Sequence, residues 1–528
     1  MNPRVVTQPL GGNPLAAAAI AGTAPTGWYE AQPRDRGAWR ERVERVRSGF
    51  AGDWLTRLAP AIEATGTAKE RLESVAAGRG VVVTTGQQPG LFGGPIYTLS
   101  KALSALALAD ALQKATGVPV APVFWAATDD TDFKEASSTV IEVPGGAQLL
   151  RIDHPEPLGR PMSVMPLGDT STELEALARS AGSTIDRTPL DLLARFYTAD
   201  ATIGSAYVAF LRALFAPLGI AVLDASHSAT RTAARTVLTT ALEKGDEIAT
   251  AVSDRNRELE AAGFPPQVQD VPGLSLVFSA ASGGRRRIPI KAGRKHLASD
   301  DLGPNVLLRP VIERAILPTA TYIGGPAEIA YFAQIAPIAD VLGVARPVIV
   351  PRWSCTIIEP HVERIMEKLH LVRDDLRDPH EAESRVARSH LPARVIEELN
   401  ETRAMLESRL DALTKAVVEQ NAPVGPAVTG GLGANLMRRL DRFERRLIAA
   451  SKKVHADIMQ EIGTARGSLY PLGKPQERAL NFIPLLARYG PALRDDMLAG
   501  ARAHTERLLG DARSANTLVE AATARGRS

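Results

Sequence analysis

Two clusters of residues in this chain have the types and spacing to do chemistry. The first is acidic. Asp129, Asp130 and Asp132 follow a buried apolar run, Ala121 to Ala127, in PVFWAATDDTDF. Three carboxylates within four positions could hold Mg²⁺, accept an amine or hydroxyl from a ligand, or cap the next helix. The second cluster is a loop, Gly86-Gln87-Gln88-Pro89-Gly90-Leu91-Phe92-Gly93-Gly94-Pro95, which follows the β-branched run Val81 to Val83. Glycines without Cβ let a backbone come close to a ligand. Lys101 stands about a turn into the helix that Leu99, Ala102, Leu103, Leu106 and Ala109 mark by their spacing. Free N–H groups near Gly93 to Ile96, together with Lys101, would suit an anion at a helix start. The loop has neither the G-x-G-x-x-G fingerprint nor a Walker Gly-Lys-Ser/Thr ending, which excludes those two nucleotide-binding classes.

Elements must hold these clusters together. Strand, loop and helix in that order make a βα unit of a doubly wound sheet, whose ligands lie beyond the carboxyl ends of the strands. The acidic cluster should therefore face the Gly/Gln loop across a crevice. A second unit repeats the first: Pro318 to Ile323 reads as a strand, Gly324-Gly325-Pro326 as its loop and Glu328 to Leu342 as its helix. Pro347 to Val350 is a further buried strand, followed by Arg352, whose guanidinium can fork onto carboxylate or phosphate. Arg309, Glu328, Gln334 and Arg352 are the polar residues this pattern sets near a ligand. For each of them the competing reading is a surface salt bridge.

The rest of the chain supplies frame and arm. Helices from Trp39 to Ala77 lead into the first strand. Thr139 to Val164 reads as a small β-rich insertion, Ser205 to Ala216 as a helix, and Gly219 to Asp224 as another buried strand ending in an acid. Ala229 to Ala261 is helical, and Pro265 to Leu302 holds short strands in which Arg285 to Arg287 read as a solvated hairpin. From His361 onward helix dominates. Leu399, Leu406, Leu410, Leu413 and Val417 form one apolar stripe, and Leu436, Leu440, Phe443, Leu447, Ala450 and Val454 form another. This is the pattern of an antiparallel coiled-coil hairpin. After it, LYPLGKPQERALNFIPLLARYG carries Gln476, Glu477, Arg478 and Asn481, a polar set too dense for a linker.

Composition narrows the class. At 528 residues the chain exceeds one typical core. Its net charge of +3 is too slight to argue nucleic-acid binding. Cys355 is the single cysteine, so no intrachain disulfide or cysteine-based zinc site can form. Leu15 to Ala24 is apolar but Ala/Gly-rich and broken by Pro14 and Pro25, and reads as mature sequence. With no run of about twenty apolar residues, no membrane span is expected and a cytoplasmic protein is.

The blocks TGQQPGLFGGPIYTLSKA, PVFWAATDDTDF, NVLLRP, YIGGPAEIAYFAQ and LYPLGKPQERALNFIPLLARYG, in that order along nearly the whole chain, resemble the bacillithiol biosynthesis cysteine-adding enzyme family. The resemblance implies an α/β, Rossmann-like core related to class I aminoacyl-tRNA synthetases, with connecting-peptide insertions and an α-helical coiled coil used in homodimerisation. It implies a core at 1–138, 201–228 and 304–360, insertions at 139–200 and 229–303, and a helical region at 361–528. It also implies ligation of L-cysteine to glucosaminyl malate, the last step of bacillithiol synthesis, with small molecules rather than nucleic acid or membrane as partners. ATP or ADP with Mg²⁺ would then activate the carboxylate, although no KMSKS-like loop is present.

Asp129, Asp130, Asp132 and Lys101 are the expected catalytic residues. Ligand contacts are expected from Gly86, Gln87, Gln88, Gly90, Gly93, Gly94, Pro95, Tyr97, Thr131, Asn305, Arg309, Tyr322, Gly324, Gly325, Glu328, Tyr331, Gln334, Arg352, Ser354, Gln476, Glu477, Arg478 and Asn481. One departure stands out. Where the family reads Gly-Glu-Asp-His-Asp-Phe, this chain has Thr128 to Phe133 with Thr131 at the histidine, and Thr cannot shuttle a proton near neutral pH. The alternative to a ligase is therefore a substrate-shifted or non-catalytic nucleotide-binding coiled-coil dimer.

Overall fold

The structure, a computed structural model, describes residues 2–50, 52–153, 159–280 and 284–510. Part of the expected turn-rich insertion (154–158) and the end of the expected C-terminal helical region (511–528) lie outside the described residues. Two compact units emerge, one comprising 1–141, 149–359 and 476 onward, the other 142–148 and 360–475.

The strands in chain order are β1 Arg4–Thr7, β2 Val81–Gln87, β3 Val120–Ala126, β4 Ser138–Val143, β5 Gly146–Arg151, β6 Ala221–Asp224, β7 Leu274–Ser279, β8 Arg286–Pro289, β9 Leu302–Pro304, β10 Thr319–Gly324, β11 Ile349–Pro351 and β12 Cys355–Ile358. In the first unit a five-stranded parallel sheet runs β11-β10-β2-β3-β6. From β2 the chain adds strands on one side, β3 and then β6. It then crosses back to lay β10 and β11 on the other side. Strand order thus reverses between β2 and β10, and a crevice opens at such a reversal, beyond the carboxyl ends of the strands. Val81, Val82, Val83, Thr84 and Thr85 are all buried, as a parallel strand covered on both faces requires.

Helix Ile96–Thr116 follows β2 and is apolar on nearly every side. A helix of that kind must be covered all round. Both β2 and β3 pack on it, as does the C-terminal helix Ile483–Leu508. The insertion after β6 carries helices Ser228–Glu243 and Gly245–Ala261 and an antiparallel sheet of order β8-β7-β9. One pairing lacks a sequence signal: β1, at the start of the chain, pairs antiparallel with β12. The expected helix from Glu328 to Leu342 is two helices, Pro326–Phe332 and Ala336–Leu342.

In the second unit the expected coiled-coil hairpin is present. Ala393–Glu419 and Pro426–Val454 run antiparallel, tied by Arg403 to Asp441 (2.8 Å) and Glu444 (2.9 Å) and by Thr414 to Thr429 (2.9 Å). Leu410 and Leu440 are half-buried, but Leu413, Phe443 and Val454 of the expected seam are exposed, as are Met405, Val418, Val424, Val428 and Leu432.

Candidate active site

The carboxyl ends of β10, β2 and β3 open onto a polar crevice of about 380 Å³. Its floor is Lys101, nearly fully buried, whose Nζ donates to the Gly86 carbonyl (2.8 Å) and Gln87 Oε1 (3.1 Å) and pairs with Glu328 (2.6 Å). Glu328 also accepts from the Tyr322 hydroxyl (2.5 Å) and the Gly325 N–H (2.7 Å). Burial pushes Lys101 below its ordinary value, although Glu328 opposes this. For Glu328 burial pulls upward, but Lys101, Tyr322 and Gly325 outweigh it and hold the carboxyl low. Three donors converging on one carboxylate favour the ion pair.

Beside it, Arg309 pairs with Glu313 (2.9 Å) and lies over the Tyr322 ring, 4.9 Å from its centroid. Asn305 Oδ1 holds the turn before helix Arg309–Ile316 by accepting from the Leu307 (3.1 Å) and Leu308 (2.9 Å) N–H groups. Tyr331 and Arg478 complete that side, with Arg478 exposed.

On the opposite wall the acidic cluster divides into three roles. Asp129 is held by Arg285, which donates to its carboxylate (3.1 Å) and its carbonyl (2.7 Å). Burial raises the Asp129 carboxyl above its ordinary value, Arg285 opposes, and Asp130 adds to the rise. Asp130 accepts from Gln88 Nε2 (2.6 Å) and the Asp132 N–H (2.9 Å). Asp132 caps the short helix Phe133–Ala136 and is not on the wall. For Asp132, capping is the correct reading. Thr131 is off the wall too, its carbonyl accepting from the Phe133 N–H (2.9 Å). Glu135 faces the crevice and accepts from the Tyr97 hydroxyl (3.2 Å), and burial raises it as well.

Several expected contacts are corrected by where the side chains go. The loop from Gly90 to Pro95 does not line the crevice, and the N–H groups of Gly93, Gly94 and Ile96 are not free. Gly93 N–H donates to the Gly90 carbonyl and the Tyr197 hydroxyl, Gly94 N–H to the Leu91 carbonyl, and Ile96 N–H to the Leu480 carbonyl. A Cβ at Gly93 would stand 2.8 Å from Phe210 and 3.0 Å from Phe482, so glycine is needed there for packing and its φ of +86° rather than for a ligand.

Arg352 spends its fork on Glu477 (2.8 and 2.6 Å), deep in the protein, although it also borders the crevice. Gln334 binds Val268 and Asn256 away from the crevice. Gln476 exchanges two hydrogen bonds with the Ile357 backbone. The Ser354 carbonyl accepts from Gln8 in the β1 pairing. Asn481 Nδ2 holds the Leu91 and Phe92 carbonyls, and Gly324 is packed against Ile349.

Arg285, expected on a solvated hairpin, is in the wall. The sequence offered no local sign of this, because its partner lies 156 residues away. Glu135 did carry a sign, since it follows Asp132 by one helical turn.

Matches to known proteins agree with this architecture. Residues 22–353 match the N-terminal Rossmann-like domain of bacillithiol biosynthesis BshC, and residues 355–507 its C-terminal coiled-coil domain. The chain belongs to the BshC family. A relative from Koribacter versatilis (strain Ellin345), named "Putative cysteine ligase BshC", is 31% identical over 90% of this chain and 89% of its own. Bearers of the same name from Solibacter usitatus (strain Ellin6076), 31% identical over 78% and 80%, and Salinibacter ruber (strain DSM 13855 / M31), 27% over 88% and 93%, match likewise. Among the described residues, no helix is long and apolar enough to cross a membrane.

Magnesium and phosphate do not fit where the sequence set them. The three aspartate side chains are turned to different partners, Arg285, Gln88 and the Phe133 helix start, and the Gly93, Gly94 and Ile96 N–H groups are already spent on protein acceptors.

Proposed function

We propose that the chain is a carbon–nitrogen ligase joining the carboxyl of L-cysteine to the amine of glucosaminyl malate, the last step of bacillithiol synthesis, in the cytoplasm. The observation that carries this reading is the crevice itself. It sets a half-buried carboxylate with a raised pKa, Asp129, in the same crevice as the cationic groups of Lys101 and Arg309. An amine attacks an acyl carbon only when neutral, so a nearby base must take its proton. Asp129 and Glu135, both held above the ordinary carboxylate range by desolvation, are the carboxyls placed to take it. Arg309 and exposed Arg478 offer charge to the malate carboxylates.

A free carboxylate must be activated before it forms an amide, and ATP with Mg²⁺ is the co-substrate that would supply that chemistry. The Gly90 to Pro95 loop and the three aspartates do not form a cradle for it. The sheet order, with its reversal between β2 and β10, supports kinship with class I aminoacyl-tRNA synthetases. The exposed apolar residues along the long helices support a homodimer built through the arm. Purified protein with cysteine, glucosaminyl malate and ATP tests the reading, alongside thiol profiling of a deletion strain. Bacillithiol made normally without the gene would defeat it.

A further inference from the structure

The second unit brings together two imidazoles that the crevice does not use. Helix Pro379–Ser389 ends at His390 and helix Pro426–Val454 ends at His455. Their rings meet with centroids 4.8 Å apart and planes inclined by 50°. The helices are fastened at this end by the Ser451 hydroxyl, which donates to the Ala387 carbonyl (2.7 Å).

Both rings are tied in the same way. His390 Nδ1 lies 2.8 Å from the Val386 carbonyl and His455 Nδ1 lies 3.0 Å from the Ser451 carbonyl, each four residues back along its own helix. A carbonyl can only accept, so both Nδ1 atoms donate and, in the neutral ring, both Nε2 atoms carry the lone pair. The hydroxyls of Ser389 and Ser451, which also approach the Nδ1 atoms, give their protons to the Val386 and Ala387 carbonyls. Neither Nε2 has a protein hydrogen-bond partner among the described residues, and neither histidine is buried. An imidazole anchored through one N–H to a backbone carbonyl, with its other nitrogen offered, is in the state that binds a metal.

Spacing and field agree with that use. An ion about 2.1 Å from each nitrogen, at an angle of about 90–110°, puts the centroids of two imidazoles about 4.5–5.2 Å apart. The observed separation falls inside that interval. Both rings also stand at helix C-termini, whose orphan carbonyls and dipoles favour a cation. Of the basic side chains in these last turns, Lys452 is paired with Glu383 (3.0 Å), Arg388 with Glu444 (3.1 Å), and Lys453 is exposed.

We propose that His390 and His455 form a two-histidine site for a divalent transition-metal ion of the kind imidazole prefers, such as Zn²⁺, with water filling the remaining positions. The ion clips together two helix ends at the open end of the coiled-coil hairpin. The inference is independent of the ligase reading, since neither histidine borders the crevice.

Calorimetry of the full chain with zinc chloride at about pH 7.5, where free imidazole is mostly neutral, tests it. Saturable binding of about one ion per chain is expected. His390→Gln and His455→Gln should each weaken it at least about tenfold, as much as even a lost outer partner of a ligating histidine costs. The double variant should fall within about twofold of the weaker single, because one ion needs both rings. His380→Gln, at the exposed start of the same helix as His390, should change binding less than about twofold. Zn²⁺ should raise the melting temperature of wild type and leave that of either single variant in place. Circular dichroism monitors folding, and if one variant fails to fold, the other and the wild-type melt decide. The proposal is overturned if zinc gives no saturable heat, if either folded single variant binds as wild type does, or if the two single losses add in the double as those of separate surface histidines would.

Discussion

Arg285 grips Asp129 twice, at the carboxylate (3.1 Å) and at the carbonyl of the same residue (2.7 Å). The guanidinium also lies 4.4 Å from the centroid of the Phe278 ring. This single side chain, from the insertion that precedes β8, fixes the loop after β3 and lowers a carboxyl that burial would otherwise raise further. Arg285→Gln should therefore cut ligation by more than tenfold while Arg286→Gln, on an exposed neighbour, stays within twofold. Steady-state rates of the two variants check this, and equal losses would return Arg285 to a merely solvated hairpin.

The same pair sets a pH dependence. If ionised Asp129 is the base, activity is lost as pH falls through its folded value, which lies above the ordinary carboxylate value of about 3.9. Removing the Arg285 cation takes away the opposing influence, so the acid limb of the pH–rate profile in Arg285→Gln should move to higher pH. An unmoved limb would assign the base elsewhere, with Glu135 next in line.

The Lys101–Glu328 pair makes a stability prediction. Lys101→Met leaves a buried carboxylate without its cation, a loss of about 3–5 kcal/mol for pairs of this kind. Lys101→Met combined with Glu328→Gln should recover part of it, which urea denaturation of the four species would measure as a coupling. The sign with pH follows from the lowered Glu328 carboxyl. Its contribution is present above the unfolded value of about 4.3 and is lost as pH falls through the lower folded value. The stability gap between wild type and Glu328→Gln should thus be steady from pH 6 to 8 and shrink below about pH 4. A gap that persists at pH 3 would mean the pair does not titrate as a pair.

How much of this was legible in the chain depends on distance along it. The βα units around Val81 and Thr319 announced themselves, because a β-branched run, glycines and a helical apolar spacing are local signals. Lys101, Glu328, Arg309 and Gln88 fell into the crevice as expected for the same reason. What failed was the assumption that a glycine-rich loop presents its N–H groups outward. Tyr197 and Leu480, 104 and 384 residues away from their partners, consume them, and no pattern near Gly93 or Ile96 reveals it. Arg352 and Glu477 were both singled out as polar residues near a ligand, but only the fold shows that each is the other's partner.

Thr131 carries a different expectation now that its place is known. Its carbonyl closes the turn before the Phe133 helix, and it does not face the crevice. Thr131→His should therefore alter ligation by less than twofold. Asp130→Asn is another matter. It removes one of the two oxygens that hold Gln88 and the Asp132 N–H, and should lower the rate about tenfold. A large gain from Thr131→His would show that the side chain at that position does reach the reacting groups.

The arm offers a separation between folding and assembly. Leu410 meets Gly433 of the facing helix, at 3.4 Å from where its Cβ would stand, and so belongs to the hairpin's own seam. Leu413 and Leu432 are 45% and 47% exposed near the same end of the hairpin. Exposed leucines gathered on one arm are what a partner surface supplies and a monomer avoids. Leu413→Asp with Leu432→Asp should therefore give monomers of unchanged helicity by light scattering and circular dichroism. Leu410→Asp should instead loosen the hairpin, lowering the melting temperature of the arm whether or not the dimer survives. A dimer that persists with both surface leucines replaced would place the interface off this end of the arm, and a monomeric wild type would remove it altogether.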